Sequence, residues 1–375
     1  MASGSDSSTS ESSSHSSEKR LRIVALEAQF GAIPDFDICN GDYEIIVYDS
    51  TPRNSEAVLK ERLRDADVAI ITTIPMNSAT LSREVTPNLR AIMIMAAGTD
   101  HVDLETCRKR GIRVLNCPSA NSETVAEHAV ALYFAIRRRV VQTHQLTVQD
   151  SWAAQKTLLG VLKDNNGRPP VGLSQERVGI IGYGRLGQHI AKLCSALGMT
   201  VSISDRKGAA VERQDMSAIR DGRSHKPERV QRSSFADTLT QSTVLFICVP
   251  RNTATLNMVA SMELAQMASQ ALVVNVSRGG IVNETDLLQA LKARQIAGAA
   301  TDVFIEEPAC AGNSVLIKAL AQEQARDQAA SSIPLVVTPH TAWYSQSTMS
   351  NLTESVKENL EGWWRDACPQ ENIVL

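Results

Sequence analysis

The feature that most restricts how this chain can fold is residues 178–187, which read VGIIGYGRLG. An apolar run rich in β-branched residues empties into Gly182, Gly184 and Gly187, spaced G-x-G-x-x-G. Leu186, Ile190, Leu193 and Leu197 then recur at helical spacing, and Gly198 supplies a stop. Val201 and Ile203 alternate with serines and lead into Asp205. Strand, glycine turn, helix, strand and acid in this order describe one half of a dinucleotide-binding parallel sheet. Gly182 would allow the tight turn, Gly184 would let a pyrophosphate approach the backbone, and Gly187 would let the helix lie close to the strand. Arg185 and Leu186 open that helix, whose unpaired amides and dipole favour an anion. Asp205 suits the two ribose hydroxyls of NAD and repels a 2′-phosphate, which makes NAD the first choice and NADP the second. Arg206 and Lys207 follow directly and read either as phosphate partners or as a solvated basic turn.

At 375 residues, 43% hydrophobic and 21% charged, the chain is long enough for two domains with cores of their own. The formal net charge of -3 provides no field for nucleic acid or an anionic membrane, and Arg137, Arg138 and Arg139 read as the solvated end of a helix. Seven scattered cysteines without CxxC spacing suggest neither a disulfide framework nor a metal site. With no apolar leader and no span-length apolar run, a cytoplasmic location is expected, a nuclear one being compatible. Residues 1–20 are a Ser-rich tail expected to be disordered.

Short apolar runs at residues 23–26, 45–48, 68–72, 91–95 and 112–115 suggest a first α/β domain. Residues 123–137 carry Val125, Ala129, Leu132 and Ile136 on one helical face. Beyond Asp205, the runs at 244–249, 272–276, 296–300 and 335–337 read as buried parallel strands. Their ends carry the chemistry. Arg278 follows the second, Asp302 and then Glu307 follow the third, and His340 follows the fourth. In an open doubly wound sheet, ligands lie beyond the carboxyl ends of the strands, so these groups would converge beside the nicotinamide. That set suits hydride transfer to a 2-keto acid: the Arg278 fork pairs with a carboxylate, His340 gives and takes the proton, Glu307 orients the imidazole, and Asp302 accepts from the carboxamide.

With these residues in place, the chain resembles the D-isomer-specific 2-hydroxyacid dehydrogenases, through residues 182–187, 275–282, 298–308 and 338–340 taken together. The resemblance implies an α/β, two-domain architecture, with a Rossmann coenzyme domain (124–340) inserted into a flavodoxin-like substrate domain (21–123 and 341–375). It also implies a homodimer and a catalytic set of Arg278, Glu307 and His340. By the same matching, Ala97, Gly98 and Thr99 correspond to the loop that cradles the substrate carboxylate. Val249, Pro250, Thr255, Val276 and Ser277 correspond to cofactor contacts. Glu307 stands where formate dehydrogenases carry Gln, which disfavours that reaction. Residues 340–345 are most similar to C-terminal-binding-protein corepressors and to glycerate and hydroxypyruvate reductases; Trp343 reads as a wall of the substrate pocket or as a buried aromatic. The expected activity is NAD-dependent interconversion of a small 2-keto acid and its D-2-hydroxy acid, the alternative an NAD(H)-sensing corepressor or scaffold. The stretches 207–232 and 309–332 depart from the pattern and read as surface insertions.

Overall fold

Runs of four or five aliphatic residues bounded by polar loops suit strands buried on both faces, as in a parallel sheet covered by helices. The computed structural model, which describes residues 20–164, 166–208, 231–325 and 333–375, contains two such sheets. The tail to residue 19, most of the 207–232 stretch and the end of the 309–332 stretch lie outside the described residues.

The first sheet comprises β1 (Leu21–Ala25), β2 (Tyr43–Val47), β3 (Val68–Ile71), β4 (Ala91–Ile94) and β5 (Arg113–Leu115), all parallel, in the order β2-β1-β3-β4-β5. This is the flavodoxin-like order. The interior strands β3 and β4 are buried at every position, whereas the edge strand β2 exposes Ile45 and Val47.

The second sheet comprises β6 (Arg177–Ile181), β7 (Thr200–Ser204), β8 (Gln231–Ser233), β9 (Val244–Ile247), β10 (Leu272–Asn275), β11 (Gly298–Thr301) and β12 (Leu335–Val337), in the order β12-β11-β10-β9-β6-β7-β8. Counted from β6, this is the doubly wound 3-2-1-4-5-6 order with one further strand. Register decides which core each residue enters. Ile180, Phe246, Val274 and Ala300 pair across four strands and share a core with the helix Ser122–Arg137. Their neighbours Ile181, Ile247, Val273 and Ala299 enter the core on the opposite face. Burying each of the larger of these side chains contributes about 1.5–3 kcal/mol.

The chain divides into one unit running to Cys117 and resuming at Thr353, and a second unit, Pro118–Leu352, inserted within it in sequence. These junctions fall earlier and later, respectively, than the boundaries expected after residues 123 and 340. The helix Ser122–Arg137 belongs wholly to the second unit, and the helix Gln346–Trp364 carries the chain between units. Among the described residues, no helix is long and apolar enough to cross a membrane.

Three expectations change. Arg137 is not solvated: it is 7% exposed, and its Nη2 donates to Glu176 Oε2 at 3.0 Å and to the Thr243 carbonyl at 2.8 Å. Arg139 is half-buried and donates to the Ala297 carbonyl, leaving only Arg138 exposed. The residues that lead into β9 and β11 present carbonyls beside the end of this helix, and arginine reaches them. Within the 309–332 stretch, Val315–Ala325 is a helix whose Leu316 and Ala319 are buried in the core, so that part is a structural crossover and not a surface insertion. Finally, β11 starts at Gly298, two residues after the apolar run begins, and that glycine admits Ile136 and the Pro334 carbonyl to about 3 Å of where a Cβ would stand.

Candidate active site

The glycine turn has the three properties its spacing predicts. Gly182 lies at φ +97, and a Cβ there would meet the Cys248 carbonyl oxygen at 2.7 Å. A Cβ on Gly187 would meet the Gly182 oxygen at 2.1 Å, so helix and strand touch backbone to backbone. Gly184, by contrast, faces open space and caps the 12-residue helix Arg185–Ala196. A cradle closed on two sides and open at its middle glycine fits a pyrophosphate.

Around it stand the other expected cofactor positions. Asp205 directly follows β7, with its amide bonded to the Ser233 carbonyl and Arg232 Nη1 3.6 Å from its carboxylate. Arg206 is exposed. Lys207 is held elsewhere, 2.9 Å from buried Glu263 and 3.0 Å from the Met258 carbonyl. Val249 and Pro250 follow β9, and Thr255 bonds back to the Pro250 carbonyl at 2.7 Å. Arg185 is exposed and Leu186 packs on the core, while Val276 and Ser277 are buried.

The loop after β10 is shaped by a residue to which sequence reasoning assigned no role. Asn275 is 4% exposed; its amide donates to the Arg278 carbonyl at 3.0 Å, and its oxygen accepts from the Ser277 amide and hydroxyl. An asparagine ending a buried strand can satisfy only the turn that follows it, and that was the available signal. Beyond Arg278, Gly279 packs so closely on the loop after β11 that a Cβ would stand 1.8 Å from the Phe304 carbonyl. The two loops are thereby locked together.

Glu307 closes the second loop by accepting the Phe304 amide on Oε1 at 2.8 Å, while its Oε2 lies 2.5 Å from His340 Nδ1. Burial pushes the Glu307 carboxyl up, but the hydrogen bond and charge of His340, the Phe304 amide and the charge of Arg278 outweigh it. The net result is a carboxyl held below its usual range. A carboxylate in this state orders the imidazole with Nδ1 as donor and Nε2 on the far side. His340 itself sits at φ +55, in the left-handed region. Arg278, Glu307 and His340 are thus brought into one neighbourhood from the carboxyl ends of β10, β11 and β12.

Asp302, expected to accept from the carboxamide, holds the loop that follows β12. It is 1% exposed, and its carboxylate accepts from the Thr338 hydroxyl at 2.6 Å and from the amides of Thr341 and Ala342 at 3.0 and 2.9 Å. It hangs the His340 loop on the end of β11. Trp343 is half-buried against the core of the second sheet, edge-on to Tyr344 at 5.4 Å.

In the first unit, Ala97, Gly98 and Thr99 follow β4 and are half-buried. The Ala97 carbonyl accepts from Asn116 at 2.7 Å, and Asn116 is tied through Asn359 to Asn372, a buried asparagine chain that steadies this loop.

The family described as "D-isomer specific 2-hydroxyacid dehydrogenase, NAD binding domain" matches residues 130–342. A glycerate dehydrogenase of Methylorubrum extorquens is 34% identical over 345 residues, 92% of this chain and 96% of that protein. Two solved structures share the fold. A D-lactate dehydrogenase of Aquifex aeolicus complexed with NAD and lactic acid has a TM-score of 0.68 at 20% identity, covering 94% of this chain and 98% of the other. An NADPH-dependent glyoxylate/hydroxypyruvate reductase of Sinorhizobium meliloti in complex with NADP and malonate has a TM-score of 0.67 at 23% identity, covering 92% and 94%. A glycine cradle of the right shape, three strand ends that deliver Arg, Glu and His, and a match along nearly the whole chain lead to one conclusion: this chain belongs to the D-isomer-specific 2-hydroxyacid dehydrogenase family.

Proposed function

We propose that the protein is an NAD-dependent oxidoreductase that reduces a small 2-keto acid of the glyoxylate or hydroxypyruvate type to its D-2-hydroxy acid. The observation that carries this reading is the 2.5 Å pair of His340 and Glu307 with the charge of Arg278 beside it. The bound nicotinamide supplies the hydride. Arg278 offers a planar fork to the substrate carboxylate and draws electron density from the adjacent carbonyl. His340 holds a proton on Nε2 for the carbonyl oxygen, and in the reverse direction Nε2 takes it back. Glu307 keeps Nδ1 engaged, so that only Nε2 serves the substrate. The printed names of relatives, glycerate dehydrogenase and glyoxylate and hydroxypyruvate reductases, support the substrate class.

We propose NAD over NADP because Asp205 directly follows β7 and Lys207 is held by Glu263. We also assign a homodimer. Val140, Val148, Trp152 and Leu159 are 52–69% exposed on successive short helices of the second unit, apolar surface that a second copy would cover. A cytoplasmic setting suits the seven free thiols.

The test is steady-state oxidation of NADH and NADPH against about ten 2-keto acids. Turnover with glyoxylate or hydroxypyruvate, faster with NADH, supports the proposal. If folded protein turns over none of them but captures a peptide partner only with NADH present, a corepressor-type scaffold takes its place.

A further inference from the structure

The helix Ser122–Arg137 buries Val125, Ala129, Leu132 and Ile136 in the core, an apolar stripe sufficient to hold it in place. Yet it carries a second, polar line. Thr124 and His128 lie one turn apart on the same face, and both hold the segment that bears His340. Thr124 Oγ1 is 2.7 Å from Ser345 Oγ and accepts from Thr348 Oγ1 at 3.0 Å. His128 Nε2 is 3.0 Å from Thr338 Oγ1. We infer that His128, with Thr124, is a positioning residue for His340, acting through Thr338 and Asp302; the inference rests on the dehydrogenase reading of that site.

The hydrogen bonds determine how the connection works. The Thr338 hydroxyl has one proton, and the carboxylate of Asp302 at 2.6 Å takes it. The contact with His128 must therefore be accepted by Thr338, which makes Nε2–H the donor. His128 thus sets the Thr338 rotamer that aims a proton at Asp302. Asp302 in turn accepts the amides of Thr341 and Ala342, and its carbonyl accepts the His340 amide at 2.8 Å. The Thr338 hydroxyl and the amides of Thr341 and Ala342 all converge on this one carboxylate, which is 1% exposed and loses a needed donor if Thr338 turns away. His340, at φ +55, occupies a conformation that a non-glycine residue keeps only when its surroundings impose it.

The experiment compares His128→Phe, which keeps the ring but removes the donor, with His128→Gln, which restores one. Keto-acid turnover, NADH affinity by fluorescence, and amide exchange at residues 340–342 are measured for each. A catalytic group displaced by a fraction of an ångström loses rate without losing ligand affinity, so His128→Phe should lower kcat about tenfold, with NADH Kd within about twofold of wild type. Exchange at 340–342 should rise about fivefold or more, and His128→Gln should recover most of both. Unchanged kcat and exchange in His128→Phe overturn the inference. So does a loss shared equally by kcat and NADH affinity and not recovered by His128→Gln. If the wild type turns over no keto acid, the dehydrogenase reading fails on its own, and the exchange measurement still decides whether His128 holds the loop.

Discussion

Gly279→Ala is the sharpest single test of how this site is built. The added Cβ would lie 1.8 Å from the carbonyl carbon and oxygen of Phe304 and 2.4 Å from the Ile305 amide nitrogen. Backbone atoms cannot rotate away, so one loop must move by roughly 1.2 Å, the difference between 3.0 Å, the closest approach real Cβ atoms make, and 1.8 Å. Both loops carry proposed catalytic groups: Arg278 adjoins Gly279, and the Phe304 amide holds Glu307. Overpacking of this kind costs about 1–3 kcal/mol, which for a domain of this size lowers Tm by roughly 2–12 °C. A displacement of about 1 Å at the reacting groups costs on the order of 100-fold in rate. Gly172→Ala is the control, since Gly172 has open space around it at a φ of -83. Calorimetry and kcat/KM should separate the two, Gly279→Ala losing both stability and rate and Gly172→Ala neither. Wild-type Tm and kcat/KM in Gly279→Ala would refute the interlocked-loop argument.

His340→Ala should lower kcat by on the order of 100- to 10,000-fold with NADH binding retained, read by single-turnover kinetics and fluorescence. Arg278→Ala should raise KM for the keto acid as well as lower kcat, and Lys should not restore it because the bidentate fork is lost. Glu307→Gln addresses stability against pH. The carboxyl is depressed in the folded state, so its contribution is fully present above about pH 4.3 and is lost as pH falls through the folded value. The Tm gap between wild type and Glu307→Gln should therefore be widest near neutral pH and shrink in acid; a gap that grows in acid contradicts the sign. Asp205→Ser should shift the NADH-to-NADPH ratio of kcat/KM toward NADPH by roughly tenfold, because it removes the charge that repels the 2′-phosphate.

Much of the fold was legible because local rules and tertiary outcome coincide. The glycines at 182 and 187 have no alternative at their positions, and the buried strands are continuous aliphatic runs. Elements without that coincidence were hidden. The edge strand β8 is Gln-Arg-Ser and carries no apolar signal, and Arg137 reads as surface until Glu176 arrives beside it from another element. Of the candidate site, the proximity of Arg278, Glu307 and His340 was legible because they follow adjacent parallel strands, whose carboxyl ends lie side by side. The supports were not: Asn275, Thr338 and His128 are ordinary polar residues whose meaning lies in what they touch.

The sequence by itself determined a parallel sheet with a dinucleotide turn and placed three ionisable groups at strand ends, because backbone sterics and strand periodicity are local. Only the tertiary structure decided that Asp302 spends its carboxylate on the His340 loop, that Gly279 is pressed against Phe304, and that Arg137 meets Glu176. These are pairings between residues distant along the chain, and no local preference encodes which distant partner a buried polar atom will find.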